Sequence, residues 1–193
     1  MKRSEINRAI ADAMLAFERH HWNLPPQPKW DVTGFGLGDF DKYGLILVNL
    51  AELPQYCEKL MFARRGQITP IHKHNSKQED IIARNGTLAV QLYSQDHNGN
   101  WSENEGEAEI LLNGNKAAFQ SGTILYLKSG ERVTLLPGCY HRFWAVSDYC
   151  IIGEVSTYND DVSDNVFADK NVGRFETVEE DEPALYPLIS DSY

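Results

Sequence analysis

From residue 45 to residue 155 the chain is cut into short runs of β-branched, aromatic and other apolar residues, most of them separated by turns that carry glycine or asparagine. The runs cover 45–50, 59–64, 87–93, 107–112, 123–127, 132–136, 140–146 and 149–155. Runs of this length read as strands, and His97-Asn98-Gly99-Asn100 and Asn113-Gly114-Asn115 between them read as tight turns. Each strand has an apolar side to bury, so a chain of many short strands must close into a sandwich or barrel. The expected fold class is all-β.

The flanks read differently. Residues 4 to about 21 form an amphipathic helix: Ser4 can cap it, Ile6, Ile10, Met14 and Phe17 share a face, and Pro25-Pro26 stops it. The stripe is narrow, which suits packing on the outside of a sheet rather than crossing a membrane. From Asn159 onward the chain is acidic and turn-rich, with a charged run at 179–182 followed by Pro183 and Pro187. That tail is expected to wrap the barrel or a partner subunit, a frayed terminus being the alternative. The 193 residues suit a single domain over 1–193, with 1–28 as a helical extension and 159–193 as the wrapping segment.

Charge and cysteine usage narrow the function classes. Lysine and arginine number 18 against 28 aspartate and glutamate, a net charge of −10, and no basic stripe exists to replace the counterions of a nucleic acid. No apolar run approaches the roughly eighteen residues of a membrane span, and the start reads as an amphipathic pattern rather than a signal core. Cys57, Cys139 and Cys150 are odd in number and form no CxxC, as expected of reduced thiols in a cytoplasmic protein. Without a secretion signal, the sequon Asn85-Gly86-Thr87 is expected to stay unmodified.

The chemistry concentrates between Gly66 and Gly86. In a strand, residues two apart share a face, so His72 and His74 project together while Lys73 points away. Glu79, after a short turn, can add an anionic oxygen, and His141 from a distant strand would complete four ligands with positions left open. Mixed nitrogen and oxygen ligation suits manganese, iron, nickel or zinc better than calcium. The alternative, ordinary histidines on a polar barrel face, is disfavoured by the combination of two histidines at strand spacing, a timed glutamate and a remote glycine-spaced histidine.

Strand arithmetic adds two candidates. If Ser147-Asp148 is a two-residue turn, His141 lies opposite Glu154 with Cβ atoms about 5 Å apart. An acid there could be a general base, could orient a ligand, or could simply hydrogen-bond a histidine. The same reasoning around Arg65-Gly66 puts Lys59 opposite His72, with a surface ion pair as the alternative for Lys59.

These residues resemble a known pattern. Gly66 to Gly86 matches the cupin signature G(X)5HXH(X)4E(X)6G at every signature position. Gly130, Gly138 and His141 follow the second cupin motif, with Pro137 one place late and Ala145 where asparagine is usual. The resemblance implies a double-stranded β-helix, or jelly-roll, cupin barrel. Three longer stretches narrow it: 72–82, 137–144, and 153–161 with Asp164-Asn165 are similar to the D-lyxose isomerases, cupins that interconvert D-lyxose and D-xylulose and often accept D-mannose and D-fructose. That family implies a homodimer and one divalent metal at His72, His74, Glu79 and His141, with Mn2+ first and Zn2+, Co2+, Ni2+ or Fe2+ as alternatives. Such an interconversion moves hydrogen between C1 and C2 through a cis-enediol, and of the residues placed by strand arithmetic Glu154 is the expected base, with Lys59 stabilising the oxyanion or shuttling protons. Asp160, Asp161 and Arg174 are weaker candidates for sugar hydroxyls, against a solvated turn. Phe143 or Trp144 could offer an aromatic face, although barrel aromatics are more often core. Competing readings are an iron-dependent cupin oxygenase, a non-catalytic sugar-binding cupin, and an isomerase of another sugar; no arginine cluster suggests a phosphosugar, so a free sugar is the expected partner.

Overall fold

The computed structural model describes residues 1–158, 160, 163–173 and 177–192. Helix α1 (Arg3–Arg19) opens the chain, followed by strand β1 (Trp30–Thr33), the single-turn helix α2 (Phe40–Tyr43), β2 (Leu45–Glu52) and β3 (Cys57–Arg64). Then come β4 (His72–His74), β5 (Glu79–Asn85), β6 (Thr87–Gln95), β7 (Trp101–Ser102), β8 (Glu107–Leu112) and β9 (Asn115–Gln120). The series ends with β10 (Ile124–Lys128), β11 (Arg132–Leu135), β12 (Tyr140–Ala145), β13 (Tyr149–Ser156) and β14 (Asn165–Phe167).

The strands form two antiparallel sheets. One has the order β1-β2-β3-β13-β5-β11-β8-β9; the other runs β10-β6-β12-β4-β14, with β7 beside β6. Alternation along each strand fills the space between them. Leu88, Val90 and Leu92 of β6 and Phe143 and Ala145 of β12 share one buried cluster with Leu47, Met61, Ile81 and Ile152 of the larger sheet. This is the all-β cupin architecture with an N-terminal helix.

Helix α1 covers the other face of the larger sheet. Its residues Ile6, Ala9, Ile10, Ala13 and Phe17 pack with Ile46, Val48, Leu60, Phe62 and Ile151. Strands β2 and β3 are thus buried on both sides, which explains why 45–48 and 60–63 are apolar at consecutive positions instead of alternating. Phe17 sits between Trp30, stacked at 6.2 Å, and Phe62, edge-on at 6.5 Å. The helix differs from expectation in two respects. Lys2 is its N-cap residue, because the Ser4 hydroxyl donates to Asp181 Oδ2 at 2.7 Å instead of capping. Met14 is 40% exposed, because positions 6, 10 and 14 drift around a helix of 3.6 residues per turn and Ala13 takes the buried place.

The expected register around β12 and β13 is also corrected. The two strands do not pair: β12 lies between β6 and β4 in one sheet, and β13 between β3 and β5 in the other. The Ser147-Asp148 link crosses between sheets, so Glu154 pairs with Lys59 and Ile81 and not with His141. Likewise Lys59 lies opposite Glu154 and Asn49, while His72 lies opposite His141 and Phe167. Strands β1, β5, β7, β9 and β14 were not among the expected runs; β9 (NKAAFQ) is mostly exposed, and β7 and β14 have only two and three residues.

The final glycine of the signature has a clear cause. Gly86 turns the chain from β5 to β6 at φ +84°, and a Cβ there would sit 2.7 Å from the Tyr149 carbonyl oxygen. The chain after 176 lies along α1, where Arg3 pairs with Glu180 at 2.6 Å and the Asn7 amide donates to Glu182 at 2.7 Å. Trp30 of β1 bridges Leu188 in the same region.

Phe17→Ala should lower stability by about 3–5 kcal/mol in urea unfolding, whereas Met14→Ala should change it by about 0.5 kcal/mol or less. Similar losses for both would show that α1 is not docked through this face.

Candidate active site

Four side chains converge where middle strands of the smaller sheet, β12 and β4, face β5 in the interior of the larger one. His72 and His74 point inward from β4, His141 stands opposite His72 on β12, and Glu79 begins β5. One donor atom from each lies within 4.8 Å of the others. The rings of His72 and His141 are 4.2 Å apart, and Glu79 and His141 are 2% and 1% exposed.

The ring nitrogens are sorted by their hydrogen bonds. His72 Nδ1 lies 2.9 Å from the Pro70 carbonyl oxygen and His141 Nδ1 lies 3.1 Å from that of Cys139. A carbonyl only accepts, so each Nδ1 carries the proton and each Nε2 keeps its lone pair. Glu79 Oε1 lies 3.1 Å from His141 Nε2 and 3.3 Å from His74 Nε2. Even so, Glu79 Oε1 and His141 Nε2 make no hydrogen bond to any described residue. These donors aim at a shared point rather than at one another, as a divalent cation requires. Burial, together with the neighbouring His141 and His74, pushes the His72 imidazole well below its ordinary pKa and keeps it in the neutral, ligating form.

A row of charges adjoins this point. Lys77 Nζ lies 2.9 Å from Glu79 Oε2 and 3.0 Å from Glu154 Oε1, and Lys59 Nζ lies 3.3 Å from the same Glu154 oxygen. The order Lys59–Glu154–Lys77–Glu79 alternates in sign, and every member is buried. Burial alone would raise the Glu154 carboxyl, but Lys59 and Lys77 hold it below the usual carboxylate range. Glu79 is likewise held well below that range against its burial, by Lys77 and then His74. Burial opposes the charge on Lys77, yet Glu154 and Glu79 raise it above its ordinary value.

Lys77 reaches this place through a loop held by Asp164. The Asp164 carboxylate accepts from the Ser76 amide at 2.8 Å, the Ser76 hydroxyl at 2.6 Å and the Lys77 amide at 3.1 Å. Its Oδ2 also lies 3.6 Å from His74 Nδ1. The pocket beside these groups encloses about 90 Å3 and has an apolar wall that includes Met61, Phe35, Phe143 and Phe167.

The sequence model of the family described as D-lyxose isomerase matches residues 27–193. The D-lyxose/D-mannose isomerase of Escherichia coli O157:H7 is 34% identical, covering 99% of this chain and 98% of its own. Its counterpart from Serratia proteamaculans is 35% identical, covering 99% and 97%. The chain belongs to the D-lyxose isomerase family. It is therefore an aldose–ketose isomerase, and its fold agrees: the L-ribose isomerase structure from Geodermatophilus obscurus superposes with a TM-score of 0.69 at 16% identity, covering 93% of this chain and 98% of that one. The L-ribose complex of an Acinetobacter sp. DL28 L-ribose isomerase variant has the same coverage and a TM-score of 0.68.

Set against the residues expected for this family, His72, His74, Glu79 and His141 come together, and Lys59 and Glu154 line the adjoining pocket. Asp160 does not line it: its carboxylate accepts from the amide and hydroxyl of Ser163 and shapes the local turn. Asp161 and Arg174 lie outside the described residues. Phe143 belongs both to the core and to the pocket wall, whereas Trp144 lies outside the pocket near the Arg142 guanidinium. Lys77 was missed, although its position inside the ligand-bearing loop was a signal.

Lys77→Met would leave two buried carboxylates without their shared cation. It should cost about 3–5 kcal/mol in urea unfolding of the metal-free protein, against about 1 kcal/mol or less for Lys73→Met. Equal, small losses would contradict the charge row. The depressed Glu154 and Glu79 pKa values also set a pH dependence. Their contribution to stability is fully present above the ordinary value of 4.5 and is lost as pH falls through the lower folded values. Glu154→Gln should flatten that acid-side loss in a urea titration across pH; an unchanged slope would remove Glu154 as a source.

Proposed function

We propose that the protein interconverts D-lyxose and D-xylulose, and D-mannose and D-fructose, as free sugars in open-chain form. The observation that carries the reading is a buried Glu154 carboxyl joined through Lys77 to the Glu79 of the four-donor cluster. A divalent ion held by His72, His74, Glu79 and His141, for which manganese is our choice, supplies Lewis-acid polarisation of two adjacent sugar oxygens when bound. The remaining work falls to side chains of the chain itself.

Glu154 takes the C2 proton of the aldose as the C2–H electron pair becomes the C1–C2 double bond of a cis-enediol. O1 gains a proton in this step. Glu154 then returns a proton to C1 while O2 loses one, which leaves the ketose with its carbonyl at C2. Lys59, 3.3 Å from the Glu154 carboxylate, stabilises the charge developing on oxygen and moves the proton between O1 and O2. Lys59 and Lys77 keep Glu154 ionised and thus able to accept.

A free sugar is favoured over a phosphosugar. The cations lining the pocket among the described residues, Lys59 and Lys77, are balanced by Glu154 and Glu79, which leaves no excess positive charge there for a phosphate.

Incubating manganese-loaded protein with a panel of aldoses in D2O under anaerobic conditions should give ketose carrying deuterium at the transferred position. Glu154→Gln should lower turnover by about 10²–10⁴-fold with metal content unchanged by elemental analysis. Unaltered turnover in Glu154→Gln would remove it as the base, and turnover that requires oxygen would replace the isomerase with an oxygenase.

A further inference from the structure

Two side-chain amides in the pocket take no part in that proton transfer. Asn49 of β2 ends the cross-strand row Asn49–Lys59–Glu154. Its Nδ2 donates to Glu52 Oε2 at 3.1 Å, and because a carboxylate only accepts, this bond fixes which amide atom is oxygen. Asn49 Oδ1 is buried and has no hydrogen-bond partner among the described residues. Asn165 of β14, opposite His74 in the other sheet, has a buried Oδ1 in the same condition. Both residues line the pocket, one from each sheet.

A buried carbonyl oxygen without a donor is unfavourable, and native proteins rarely leave one so. Two of them at one cavity call for a ligand that brings O–H or N–H groups. An ionised carboxylate or phosphate brings only acceptors and would meet both amide oxygens unfavourably. A polyhydroxylated neutral molecule supplies what they lack. Position adds a further constraint: Asn49 lies two strand spacings, about 9.5 Å, from the strand that carries Glu154. It is therefore set back from the carbons at which the proton moves.

We infer that Asn49 determines specificity by accepting, at Oδ1, the hydrogen of a sugar hydroxyl beyond the reacting C1–C2 pair, with Asn165 accepting a second from the opposite sheet. The inference rests on the sugar-isomerase reading and deepens it. Asn49 touches the substrate away from the chemistry, so its loss acts on binding in the ground and transition states alike.

The test pairs substrate and protein changes. kcat and KM are measured for D-lyxose and its 3-, 4- and 5-deoxy derivatives with wild-type protein, Asn49→Ala and Asn49→Asp, the last of which retains an acceptor. Wild type should disfavour at least one deoxysugar by about 10-fold or more in kcat/KM. Asn49→Ala should raise KM for D-lyxose by a similar factor with kcat little changed, and that deoxysugar should lose its disadvantage. Asn49→Asp should retain the discrimination. Because the deoxysugars probe wild type directly, poor folding of a variant leaves the test intact: equal kcat/KM for all four sugars in wild type overturns the inference. So do deoxysugar penalties that are unchanged in Asn49→Ala, and either result leaves the isomerase reading standing. No ketose from any free aldose with wild type takes down both.

Discussion

One register sets the site: His141 of β12 stands opposite His72 of β4. Cross-strand partners share a face, so this pairing puts the two rings on the barrel interior, and the two-residue repeat of β4 adds His74 beside them. Glu79 joins because it begins β5, an interior strand of the other sheet. Backbone carbonyls at Pro70 and Cys139 then orient the His72 and His141 rings through Nδ1. The scaffold thereby presents lone pairs toward one point before any ligand arrives, which is what gives a metal site its precision.

The charge row follows from the same geometry. Four buried charges in alternation are tolerable because each has an opposite neighbour within 3.3 Å. Isolating any of them would carry the full desolvation penalty of a buried ion. The row links the centre to the base candidate through Lys77, so the state of Glu79 and that of Glu154 are electrostatically connected. Such an arrangement is a poor route to stability alone, since apolar residues of similar volume would serve as well. Its presence beside an open pocket fits chemistry better than packing.

Much of this was legible in the sequence, for identifiable reasons. The runs from 45 to 155 anticipated eight strands because half-buried strands repeat every two residues, a pattern that survives without knowledge of topology. The four donors were legible because their spacing is itself the geometry. Glu154 and Lys59 were found through two hairpins, at Ser147-Asp148 and Arg65-Gly66, that do not exist. Consecutive strands β12 and β13 go to different sheets, but strand parity still turned both residues inward. Lys77 lay in a loop, where no period sets direction; its position depends on Asp164, whose hydrogen bonds span 87 and 88 residues of sequence. Asn165 was named in the resemblance without a role, and Asn49 gave no sign, since one polar residue closing an apolar run looks like the end of a strand.

The claim on which all of this stands is that three imidazoles and one carboxylate bind a single cation. Anomalous diffraction from manganese-loaded crystals, recorded on both sides of the manganese edge, tests it most directly. We expect one strong peak inside the barrel with Nε2 of His72, His74 and His141 and an oxygen of Glu79 each about 2.0–2.3 Å away. A peak that leaves His141 outside the coordination shell, or peaks confined to surface carboxylates, would contradict the account.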